Sequence, residues 1–220
     1  MVPVGALLSV DEPTLPVRPE IDGSDVRKLT AADIPRISRA LARSFEDDPV
    51  WKFIYPDEQD PVGRYEAAFE FFLRRVWLAE EECYGLVGLH GAALWMPPGR
   101  WHVSALDQLR MLPGMIRLSR RSFPRAAGVL RQMEKKHPKA EEHYYLAVLG
   151  VEPELQGRGF GGALMEPILR RCDSDGTPAY LESSKERNIV FYERHGFRVL
   201  EELPLSKTGP AIWPMWREAA

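Results

Sequence analysis

The run HYYLAVLGV at 143–151 is followed six residues later by GRGFGG at 157–162 and then by ALMEPILRRC. No other part of the chain restricts the fold as much. The run is apolar nearly throughout and rich in aromatic and β-branched residues, which predicts a central strand buried on both faces. Ala163, Leu164, Ile168 and Cys172 mark a helix by their spacing, with Pro167 costing it one backbone hydrogen bond. A strand that feeds a glycine-rich turn and then a helix aims unpaired N–H groups and the positive end of the helix dipole at one point. That is a natural anion site.

Two phosphate-binding patterns fit these glycines poorly. A Walker loop needs Lys and then Ser or Thr after its last glycine, and here Gly161-Gly162 are followed by Ala163-Leu164. Gly157, Gly159 and Gly162 do spell the dinucleotide fingerprint, with Glu182 twenty residues further on. In that fold, however, the first glycine follows the strand almost at once, whereas EPELQ intervenes here. Only 58 residues remain after Gly162, too few for the strand–helix units such a fold still requires.

A third pattern takes strand, turn, helix and the segments after them together. VEPELQGRGFGGALM resembles the acetyl-coenzyme A signature of the GNAT acetyltransferase superfamily, Q/R-x-x-G-x-G/A, met by Gln156, Gly159 and Gly161. PAYLESS at 178–184 and RNIVFYERHGF at 187–197 are similar to further blocks of its puromycin N-acetyltransferase-like members. The resemblance is strong over about residues 137–200 and covers only element order before that.

The resemblance implies a single-domain GNAT fold, α/β, with a mixed sheet of about six or seven strands splayed between the fourth and fifth and flanked by helices. It implies acetyl-CoA as co-substrate, no metal, and acetyl transfer by direct attack of a small-molecule amine; antibiotic resistance would be one setting. Acetylation of a protein or peptide amine, or a catalytically silent acyl-CoA sensor, are the other readings. Cofactor contacts would come from Leu149, Val151, Gln156, Gly157, Arg158, Gly159, Phe160, Gly161, Gly162 and Asn188. Gly150 would carry the bulge that opens the strand. Tyr192 would stand by the sulfur as general acid, with Glu182 as the base, or a water relay through His143 or Glu142.

The remaining chain reads as follows. Residues 1–24 carry four prolines among small and polar residues and form an expected flexible arm, leaving 25–220 as the catalytic domain. VRKL at 26–29 predicts a strand; Thr30 and Asp33 cap a helix carrying Ile34, Ile37 and Leu41; residues 64–78 predict a second helix. CYGLVGLH and GAALWMPPG read as a hairpin, and 103–136 as helix broken at Pro113-Gly114 and Pro124. FRVLEE and AIWPMW are expected as closing strands, with NIVFYERHG a short helix ended by Gly196.

Composition narrows the partners. Twenty-nine basic against 32 acidic side chains leave a net charge of −3, so no field implies a nucleic-acid or membrane partner. Cys83 and Cys172 form no paired motif, which suits a cytoplasmic protein, and the histidines lack metal-binding spacing. Trp51, Phe53, Tyr55, Trp95 and Trp101 are candidates for an acceptor pocket, and Arg117, Arg120, Arg121 and Arg125 read as a solvated face. The protein is expected as a monomer, or a homodimer formed through its C-terminal strands or Trp213 and Trp216.

Overall fold

The computed structural model describes residues 25–56 and 58–220. The arm expected over 1–24 lies outside the described residues. The strands are β1 (Val26–Lys28), β2 (Cys83–Leu86), β3 (Gly91–Met96), β4 (Tyr144–Val151), β5 (Ala179–Ser183), β6 (Arg198–Val199), β7 (Leu203–Pro204) and β8 (Ala211–Arg217). They form one mixed sheet in the order β1-β2-β3-β4-β5-β8-β6, with β7 also paired to β8. Only β4 and β5 run parallel. FRVLEE contributes just the two residues of β6, and β7 brings the strand number to eight. β8 lies between β5 and β6, Trp216 on it is 6% exposed, and Trp213 is half-buried.

Helices α1 (Ile34–Ser44), α2 (Pro49–Ile54) and α3 (Pro61–Arg75) precede the hairpin of β2 and β3. The Thr30 N–H donates to Asp33 at 2.8 Å, and the Arg27 guanidinium grips the same carboxylate, so the entry to α1 is held from two sides. Ile34, Ile37 and Leu41 of α1 pack with Tyr65, Phe69 and Leu73 of α3 on Ala92, Leu94 and Val148 of the sheet. On the opposite face, α6 (Phe160–Asp175) buries Leu164, Met165, Ile168 and Cys172 against Ala93, Trp95, Leu146 and Leu181. Each large side chain so buried contributes about 1.5–3 kcal/mol.

α4 (Ala105–Ser119) and α5 (Phe123–Lys136) meet at a 3-10 turn over Arg120–Ser122, and Pro124 sits in the first turn of α5. The break expected at Pro113-Gly114 does not occur, because α4 runs through both residues. A Cβ on Gly114 would lie 2.5 Å from Phe71, so the pair serves close packing on α3 rather than chain reversal. The six-residue α2 escaped the sequence pattern altogether. Asp48 caps it by accepting from the N–H groups of Val50 and Trp51, with Pro49 at its first turn.

Candidate functional site

β4 and β5 pair at only three positions, Tyr144 with Ala179, Tyr145 with Tyr180 and Leu146 with Leu181, and then part. On the other edge of β4, Leu94 of β3 faces Val148 while the next residue, Trp95, faces Leu146. Ala147 is therefore the extra residue of a bulge that falls where the two parallel strands separate. The bulge resets the side-chain phase. Leu146 and Leu149 pack toward α6, whereas Ala147 and Val148 both turn toward α1.

This corrects the placement of the bulge at Gly150. Gly150 stays in register with Ala92, and a Cβ there would lie 2.2 Å from the Ser44 Oγ and 2.8 Å from Leu41, so its bare backbone admits α1. The expectation that β4 is buried on both faces also fails. Tyr145, Ala147 and Leu149 are half-buried because they border a cavity of about 1260 Å³ that enters the gap between the strands.

Past Leu146 the edge of β4 facing the gap pairs with no residue of β5. The Glu152 N–H donates to the His90 carbonyl at 2.8 Å, so by strand alternation residues 150 and 152 face β3 while Leu149 and Val151 face the gap. Gln156 folds back, its side-chain amide donating to the Val151 carbonyl at 2.9 Å, and so braces the turn. Gly157 and Gly159 occupy the left-handed region at φ +74° and +92°, which reverses the chain into α6. The Ala163 N–H bonds back to Gly159 at 3.2 Å, and the amides before it head the helix in the way that leaves N–H groups unpaired. A Cβ on Gly161 or Gly162 would meet Phe191 at 3.0 Å or His195 at 2.8 Å, so these two glycines admit the next helix.

That helix, α7 (Ile189–Glu193), carries Tyr192 into the same cavity, with Asn188 at its head. Tyr192 is 8% exposed, and burial pushes its hydroxyl pKa well above the ordinary tyrosine value, with the Asp48 carboxylate adding to the rise. It is therefore a protonated donor at neutral pH. Asp48 is itself fully buried and accepts from the Ser184 hydroxyl, joining the α1–α2 corner to the segment after β5; Lys185 and Arg187 pair with Asp47 beside it. Burial raises the Asp48 pKa.

Glu182 is the first β5 residue past the last β4–β5 pair, and its side chain is 3% exposed. It accepts from the Tyr180 hydroxyl at 3.0 Å, and the His137 Nδ1 lies 3.8 Å away. By strand alternation Glu182 shares a sheet face with Tyr180, while Leu181 packs on the opposite face with Tyr192. The gap thus has a phenol on one side and a carboxylate on the other. His143 is buried beside His137, and Glu142 is exposed.

Of the residues singled out in the sequence for cofactor contact or chemistry, Arg158, Glu142 and His143 are absent from the cavity wall, Arg158 standing exposed at the turn. Among the five candidate aromatic residues, Trp51 and Trp101 line the cavity; Trp95 is fully buried in the sheet and Tyr55 lies in the core beside α3. Arg117, Arg120, Arg121 and Arg125 are exposed, with Arg125 resting on the Phe53 ring. Asp48, His137 and His195 were not singled out. Asp48-Pro49 is a legible helix start, and His137 and His195 belong to the stretches HPKAEEH and YERHG.

A mixed sheet whose parallel pair parts at a bulge beside a glycine turn and helix is the GNAT fold. Residues 114–199 match the family model described as an acetyltransferase (GNAT) domain. It is 29% identical over 202 residues to a Schizosaccharomyces pombe protein named as an uncharacterised N-acetyltransferase, covering 84% of this chain and 79% of that one. The fold is similar to a solved structure titled as histone acetyltransferase HPA2 and related acetyltransferase from Corynebacterium glutamicum. There the TM-score is 0.65 at 21% identity, over 89% of this chain and 96% of that one. A Drosophila melanogaster polyamine N-acetyltransferase shares it with a TM-score of 0.61 at 16% identity, over 88% and 98%.

Proposed function

We propose that this protein is an acetyl-CoA-dependent N-acetyltransferase whose acceptor is the amine of a small, largely apolar molecule. One observation carries the reading: the glycine turn, the free edge of β4, Tyr192 and Glu182 all border one cavity where β4 and β5 part. The residues fit the co-substrate. Two left-handed glycines and the head of α6 suit a diphosphate, and the gap edge at Leu149 and Val151 suits the amides of an extended arm. Gln156, Gly157, Gly159, Phe160, Gly161, Gly162 and Asn188 complete that wall, with Arg158 at its rim.

Acetyl-CoA supplies an acetyl thioester, whose carbonyl carbon a neutral amine attacks to leave an amide and free coenzyme A. Alkyl amines have pKa values of about 10 and are mostly protonated at neutral pH, so a base is needed. Glu182 stands where it can take that proton. Tyr192, on the other side of the sheet, gives its proton to the departing sulfur, and the second proton that the nitrogen sheds as the amide forms restores the hydroxyl. The acceptor end of the cavity is bordered by Trp51, Phe72, Trp101, Met111 and Met115, a wall suited to an apolar or flat amine. This wall, with the likeness of the later blocks to puromycin acetyltransferase-type proteins, makes an antibiotic nucleoside one acceptor worth testing.

The test is coenzyme A release with acetyl-CoA and puromycin, aminoglycosides, spermidine, phenethylamine and a peptide amine. Turnover with an apolar small amine is expected. Turnover with the peptide alone transfers the assignment to protein acetylation, and acetyl-CoA binding without turnover makes the protein a sensor.

A further inference from the structure

We propose that His137 and His143 extend Glu182 into a three-residue proton relay, so that the acceptor's proton moves off the carboxylate into a buried imidazole pair. The proposal rests on the acetyl-transfer reading above. Its footing is a chain of contacts whose hydrogen positions follow from chemistry. The His143 Nδ1 lies 2.7 Å from the Glu141 carbonyl, which only accepts, so that nitrogen carries hydrogen. His143 is 1% exposed, and burial lowers its pKa, so at neutral pH its other nitrogen, Nε2, is bare.

That bare nitrogen lies 2.9 Å from the His137 Nε2, which must therefore donate. In the relay's resting form His137 carries hydrogen on Nε2 alone and keeps its lone pair on Nδ1, which lies 3.8 Å from the Glu182 Oε1. His137 and His143 each keep a bare nitrogen toward the cavity side and an N–H toward the interior, and the Glu182 carboxylate at the head of the row only accepts. Glu182 takes one proton from the acceptor ammonium; it passes to the His137 Nδ1, leaving a carboxylate beside an imidazolium whose two N–H groups point at Glu182 and His143. On product release the imidazolium gives that proton to solvent, and neutral His137 is restored.

The surroundings hold this geometry. Trp101 stacks on His137 at 4.0 Å with 19° between planes and itself borders the cavity. Tyr145 of β4 and Tyr180 of β5 stand edge-on to His137, and Trp216 of β8 stands edge-on to His143. The other ionisable groups nearby are the Tyr145 hydroxyl, held protonated by burial, Glu201 acting on Tyr180, and, beyond Trp101, His102 paired with Glu134 of α5. A lone structural histidine pair would need no carboxylate at one end and no opening onto the cavity.

Two measurements test the relay. Nitrogen-15 imidazole spectra of the whole protein at neutral pH should show hydrogen on Nε2 of His137 and on Nδ1 of His143; hydrogen on the His137 Nδ1 without charge overturns the relay. His137→Gln and His143→Gln should lower kcat/KM for phenethylamine or spermidine by about tenfold to a hundredfold at neutral pH. The acetyl-CoA KM should hold, and the loss should shrink as pH rises toward the amine's own pKa. A loss equal at every pH overturns the relay. If the variants do not fold, the wild-type spectra still decide. If the wild-type protein releases no coenzyme A with any amine, the acetyl-transfer reading fails and the relay with it, whereas turnover with the wrong tautomers sinks the relay alone.

Discussion

Leu146 and Leu181 form the last rung at which β4 and β5 run side by side, and the bulge residue Ala147 follows at once. The spot where the sheet opens is therefore also where β4 changes its side-chain phase. Glu182 and Tyr192 reach this opening from opposite faces, so the proposed base and acid do not compete for a single position.

Replacing Tyr192 with Phe removes the hydroxyl and leaves the ring packed with Phe191 and Phe197. Turnover should fall about a hundredfold or more, as for loss of a general acid, while calorimetric affinity for acetyl-CoA stays within a few-fold. Unchanged turnover would remove Tyr192 from the chemistry.

Gly150→Ala should destabilise the fold by about 1–3 kcal/mol, because the added methyl meets Ser44 and Leu41 in a packed interior. Thermal denaturation reads the loss. Adding Ser44→Ala removes the closest atom and should restore part of it, which a bulge at Gly150 would not explain.

Gly159→Ala places a side chain at φ +92° and costs about 1–2 kcal/mol in backbone conformation. Since the turn also presents the amides of α6, acetyl-CoA affinity should drop at least tenfold by calorimetry. Wild-type affinity would show that the turn does not hold the co-substrate.

Asp48 has a raised pKa, so folding takes up a proton there and its charged form weighs against the fold as pH rises through and above the ordinary carboxylate range. Asp48→Asn keeps the α2 cap without the charge. Relative to wild type, its denaturation midpoint should gain as pH rises from about 4 to 7. Asp48→Ala, lacking the cap, should lose about 1 kcal/mol or more at either pH. An Asn variant as unstable as the Ala variant at pH 7 would show that the charge is needed.

Much of the framework was legible because it depends on neighbours in the chain. The stripe Ile34, Ile37, Leu41 read correctly as the buried face of α1, and the break at Pro124 fell where α5 begins. Pro113 misled because its cost is local while the contact that tolerates it, Gly114 on Phe71, belongs to another helix. α2 was too short for periodicity to register, although Asp48-Pro49 announced it.

What the sequence by itself determined is the strand, the left-handed glycine turn and the helix behind it, since φ/ψ preference and side-chain period act within a few residues. Which glycine bends a strand and which admits a helix was decided by tertiary structure: Ala147 carries the bulge, and Gly150 yields to Ser44. The meeting of Glu182 with His137 and His143 was decided there too. Those residues come together only once the sheet forms and the loop after α5 closes over it, because a hydrogen bond between distant segments leaves no period in the chain.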